Sequence, residues 1–155
     1  MLSELLELEE SIGQLYEIYA LRFKDYELFW RNLAKEKMEH ANQIRKLSLS
    51  LETRPTQSEG DRRNQTLVRR LIDYVKKESS ELSTTELPIT NAFLIVLGIE
   101  EDVIESNCFK VNESDSDETI SILTDLTNVT YDHIERVRKV SDDHLRLFRR
   151  YRFVP

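Results

Sequence analysis

The chain has 155 residues, 33% of them charged, with a net charge of −7, three Gly, three Pro and one Cys. That length can bury a continuous core without disulfides or structural metal, and such sparse punctuation favours long helices over many short strands. The acidic balance argues against nucleic-acid binding, and a lone Cys108 excludes an internal disulfide, a Cys-x-x-Cys metal knuckle and an iron–sulfur centre.

No basic segment followed by an apolar run opens the chain, and no window is apolar enough for a membrane span. A cytoplasmic, soluble protein is expected, without membrane, haem or nucleotide. The first helix, about 3–23, has Ser3 as its cap and Glu4 in its first turn. Its apolar seam runs Leu2, Leu5, Glu9, Ile12, Tyr16, Tyr19, Phe23, with Glu9 as the one carboxylate. After a short break at Lys24-Asp25, a second helix, about 26–51, carries Trp30, Leu33, Lys37, His40, Ile44, Leu47 and Leu51 in steps of three and four. Lys37 and His40 stand where core side chains belong, and a buried ionisable pair is costly unless something facing it compensates.

Residues 52–66 are polar and contain Pro55 and Gly60, which predicts a loop. A shorter helix, about 67–82, follows on Leu67, Val68, Leu71, Ile72 and Val75, and then a polar stretch to Glu86 completes a long connection. Pro88 suits the first turn of the next long helix, about 88–110, whose seam is Ile89, Phe93, Val96, Glu100, Val103, Asn107. A polar turn at 112–117 precedes the last helix, about 116–150, with Leu123, Leu126, Thr130, His133, Val137, Val140, His144 and Leu147 on one face. The whole is one all-α domain.

The halves repeat. Leu8-Glu9-Glu10-Ser11-Ile12 matches Ile99-Glu100-Glu101-Asp102-Val103, and each is followed by a helix bearing a seam histidine. In an antiparallel hairpin, residues equidistant from the turn lie at one height. The midpoint of Glu9 and His40 is 24.5 and that of Glu100 and His133 is 116.5, both within predicted turns. Each Glu should therefore face its His, and pairing the hairpins would bring all four together, with ligand types suited to iron or manganese.

Here the sequence resembles the rubrerythrin-type branch of the ferritin-like di-iron bundles. The resemblance rests on Leu8 to Ile12 with Tyr16, on Trp30 and Leu33-Ala34-Lys35-Glu36-Lys37-Met38-Glu39-His40-Ala41, on Gly98 to Glu105, and on His133. It implies an antiparallel four-helix bundle with a long crossover holding a short extra helix, and metal ligands at Glu9, His40, Glu100 and His133. Such proteins also place a carboxylate three residues before each His. Those positions hold Lys37 and Thr130, so the site is depleted to at most one well-held iron or manganese ion. Glu36 and Glu39 flank the first replaced position but lie roughly 100° around the helix from it and should mostly face away; with Tyr16 they are candidates for support around the ligands.

Two functions are open. One is a metal-binding protein related to di-iron oxidoreductases; the other is a metal-free helical scaffold or partner-binding module, in which the Lys37 ammonium neutralises Glu9 and Glu100. No catalytic residue is singled out, and a peroxidase cycle needing a rubredoxin-like module is not expected. A homodimer is expected by analogy alone. Tyr16 and Tyr19 read as core, His144 as a capping or packing residue, and Cys108 as unreactive. Arg146, Arg149, Arg150 and Arg152 read as favourable placement at a helix C-terminus, with an acidic partner as the alternative.

Overall fold

The computed structural model describes residues 1–50 and 59–152, with side chains placed for 1–50 and 64–150. Among them are five α-helices, one 3-10 turn and no strand. Helix α1 (Leu2–Arg22) turns through Lys24–Tyr26 into α2 (Glu27–Ser50); α3 (Glu59–Glu81) follows, then α4 (Ile89–Glu105) and α5 (Asp117–Arg152). The expected Leu51 seam position and the 52–58 part of the expected loop lie outside the described residues, as does the side chain of Arg152.

Helices α1 and α2 form an antiparallel hairpin, fixed on its surface by Arg45 to Glu10 and Arg31 to Glu17. Helices α4 and α5 form another, with Arg138 reaching Glu101. α2 and α5 join the two hairpins. α3 lies parallel to α1: Gln65 reaches Glu4, Arg69 reaches Glu7, and Arg22 donates to the Leu82 carbonyl at the far end. The core is one cluster drawn from every helix, and each fully buried Leu, Ile or Phe contributes about 1.5–3 kcal/mol. At one end it is aromatic. Trp30, fully buried, packs between Tyr16 (5.8 Å), Tyr19 (5.1 Å), Phe29 (5.0 Å) and Phe93 (5.6 Å). The Trp30 Nε1 and Tyr19 hydroxyl find no hydrogen-bond partner among the described residues.

Four local expectations are corrected. Ser3 does not cap α1; the helix starts at Leu2, with Met1 in the cap position, and the Ser3 hydroxyl bonds the Glu4 carboxylate. Pro88 stands one residue before α4, as its cap in extended backbone, where its missing N–H costs nothing. α3 begins at residue 59, within the expected loop and through Gly60, since one Gly near a helix end costs about 1 kcal/mol at most.

α4, in turn, stops at Glu105 and not near 110. Asn107 takes a left-handed conformation (φ 49°), which Asn tolerates better than most residues, and the Cys108 N–H reaches back to the Val103 carbonyl. Asn107 is thereby exposed, and Cys108 and Phe109 fold into the core in its place. The Ser116 hydroxyl accepts from the Thr119 N–H and caps α5. Among the described residues no helix is long and apolar enough to cross a membrane.

Candidate functional site

Glu9, Lys37, Glu100 and His133 are fully buried and His40 nearly so, at the level where α1, α2, α4 and α5 meet. Helical periodicity puts them there: each sits in the apolar seam of its own helix, and the hairpin turns set their common height. His40 Nδ1 is 3.1 Å from Glu9 Oε2 and His133 Nδ1 is 3.3 Å from Glu100 Oε1, so each Glu faces its expected His. The two imidazoles stack, centroids 5.8 Å apart and planes 18° from parallel.

Lys37 stands between the hairpins. Its ammonium donates to Glu100 Oε2 at 3.0 Å and to Glu9 Oε1 at 3.3 Å. Tyr16 donates its phenol proton to Glu100 Oε1 at 2.5 Å. All four carboxylate oxygens of Glu9 and Glu100 are thus engaged. Burial acts to raise the Glu100 carboxyl, but the Lys37 charge, with His133 and Tyr16, outweighs it and holds the pKa at about 2, against an ordinary 4.5. Burial acts to lower the Lys37 ammonium, and the charges of Glu100 and Glu9 prevail and raise it. The Tyr16 phenol is raised well above its usual range by burial and by the Glu100 charge, so it remains a donor.

Glu36 corrects the expectation that it faces away. It turns across to α5, where His133 Nε2 lies 2.9 Å from Glu36 Oε2 and Arg136 clamps both carboxylate oxygens, at 3.0 and 2.5 Å. Burial acts to raise the Glu36 carboxyl, and Arg136 and His133 bring it below its ordinary value. Arg136 also pairs with Asp132 on its own helix at 2.8 Å. Sequence reasoning missed Arg136; its signal was the three-residue step from His133, which sets both on one helix face. Both ring nitrogens of His133 thus face carboxylates, Nδ1 that of Glu100 and Nε2 that of Glu36.

Thr130 is fully buried but spends its hydroxyl on the Leu126 carbonyl of its own helix, at 2.8 Å. Glu39 points outward and approaches Lys35 at 3.9 Å. Together with Glu36, His40, Gln43, Asp125, Asn128 and Val129 it lines a cleft of about 360 Å³ between α2 and α5. Tyr19 sits in the core, its phenol raised well above the usual range by burial and by the nearby Glu78 and Tyr74. His144 packs, its Nδ1 2.7 Å from the Tyr26 hydroxyl and its ring against Phe93. Burial pushes the Cys108 thiol up to about 12, leaving it protonated and unreactive at neutral pH.

As arranged, these donors do not fit an iron or manganese ion. A cation of the protein itself bonds both Glu9 and Glu100, both nitrogens of His133 face carboxylates, and at the two replaced positions Lys37 brings an ammonium and Thr130 spends its hydroxyl on its own helix. Among the described residues no group of three or more His, Cys, Asp or Glu converges as metal ligands would. What the arrangement does chemically is hold buried charges in mutual neutralisation across two hairpins. Compared with known proteins, the chain matches no family model, no curated protein and no solved structure.

Proposed function

We propose that the chain is a ferritin-like helical bundle, rubrerythrin-type in the layout of its centre, in which Lys37 stands in for metal charge, and that it serves as a metal-free scaffold binding a partner through its outer surface. One observation carries this reading: the Lys37 ammonium lies 3.0 Å from Glu100 and 3.3 Å from Glu9, the two carboxylates that would otherwise face a metal. Two antiparallel hairpins joined by a crossover, each with a Glu facing a His, support the bundle assignment. The ion pair supports the absence of metal, because bringing a divalent cation to those carboxylates would set it beside an ammonium in a region of low dielectric.

Protein purified without chelators and offered ferrous iron and manganese under anaerobic conditions should hold no tight equivalent by elemental analysis. The Lys37→Glu/Thr130→Glu double variant, which restores a carboxylate three residues before each His, should take up metal. A tight equivalent on the parent chain would overturn the scaffold reading in favour of a depleted metal centre.

A further inference from the structure

α5 is the longest of the described helices. It has 36 residues against 17 in α4, roughly 54 Å against roughly 25 Å. His144 is bonded to Tyr26 and packed on Phe93, and residues 145–150 beyond it are all exposed. The core-facing seam nevertheless continues past that level: Leu147 is 51% and Phe148 58% exposed, and Leu28, on the first turn of α2, is 73% exposed.

Two depressions run together on this end of the molecule. One, of about 270 Å³, is lined by Tyr26, Leu28, Phe29, Val140, His144 and Leu147, with Asp25 and Asp143 beside them. The other, of about 820 Å³, shares Asp143 and Leu147 and adds Arg146, Arg149 and Arg150. Those three arginines, like Arg70, have no ion-pair partner among the described residues, whereas Arg31, Arg45, Arg69, Arg136 and Arg138 are paired. The helix dipole accounts for basic residues in a last turn; it does not account for uncovered Leu147 and Phe148 beside them.

We infer that this end of the molecule is a docking site for an acidic amphipathic helix of a partner protein. Its apolar side would rest on Tyr26, Leu28 and Leu147, and its carboxylates on Arg146, Arg149 and Arg150. The inference rests on the scaffold reading and names its partner class. Helical form follows from the surface itself, an interrupted helix seam with positions three and four apart left uncovered. A second copy fits less well, since a two-fold contact through this patch would set arginines against arginines. An anionic membrane fits less well because the chain carries a net charge of −7, with Asp25 and Asp143 in the same surface.

Random peptides displayed on phage would be selected against the full chain, and the winners measured by calorimetry. Peptides with Glu or Asp beside Leu or Phe at helical spacing should be enriched. Their affinity should fall about tenfold or more in Arg146→Glu/Arg150→Glu and in Leu28→Ser/Leu147→Ser, all exposed positions that leave the helix content by circular dichroism unchanged. Lysine-for-glutamate peptides should recover binding to the arginine variant. Selection without acidic preference, or affinity indifferent to both variants, overturns the inference. So does binding to phosphatidylserine vesicles in place of peptides, or a dimer broken by Leu28→Ser/Leu147→Ser. Metal content measured on the same preparation tests the scaffold reading separately.

Discussion

Lys37 carries a full positive charge into a site with no solvent exposure, and what makes that tolerable is two carboxylates within 3.3 Å. Lys37→Met keeps the side chain's length and apolar stem but leaves Glu9 and Glu100 buried without that cation. At neutral pH this should cost about 3–5 kcal/mol, read from urea denaturation. The pH dependence has a definite sign. Glu100 titrates at about 2 in the folded chain and near 4.5 when unfolded, so its stabilising contribution is complete above about 4.5 and is lost as pH falls towards 2. The deficit of Lys37→Met should therefore be largest at neutral pH and shrink through that window; a constant deficit would remove the charge argument. The facing of Glu9 with His40 and Glu100 with His133, and the need of the buried Lys37 ammonium for those carboxylates, were legible because helical rise and burial cost are general physics. Glu36 was not. Its long side chain swings from a position roughly 100° off the seam to reach Arg136, and only the packing of α2 against α5 reveals that partner.

At the scale of elements, α4 shows how a helix can be weakened without a contact being lost. Gly98 is exposed in its middle, and a Cβ built there meets nothing within 4 Å. Gly98→Ala should raise stability by roughly 0.5–1 kcal/mol through backbone entropy alone, seen as a higher melting temperature. The long amphipathic helices were legible as elements because their seams persist over many turns. Their ends were less so: α4 is terminated by the left-handed Asn107, a residue that equally well fits the continuing seam, and α3 starts eight residues early, running through Gly60 at little cost.

At the scale of the molecule, polar links couple the two hairpins: Lys37 and Tyr16 to Glu100 in the core, and Glu36 to His133 and Arg136 at its edge. Each spans from α1–α2 to α4–α5. Cutting one should loosen the joint more than either hairpin. In Glu36→Gln, which leaves Arg136 and His133 without their shared anion, native-state hydrogen exchange should accelerate in α4 and α5 before it does in α1 and α2, because α3 packs mainly on α1 and continues to brace that side. Equal acceleration in all four helices would mean the molecule opens as one unit.

The buried indole has an optical consequence. Trp30 is the only tryptophan in the chain, fully buried, with no hydrogen bond to its Nε1 among the described residues and with the rings of Tyr16 and Tyr19 within 6 Å. Its fluorescence should be strongly blue-shifted, and light absorbed by those tyrosines should emerge from the indole by energy transfer. Since Tyr16 also holds Glu100, the ultraviolet emission of the unmodified protein reports on the charged centre, and rearrangement there should register as a change in colour without any added label.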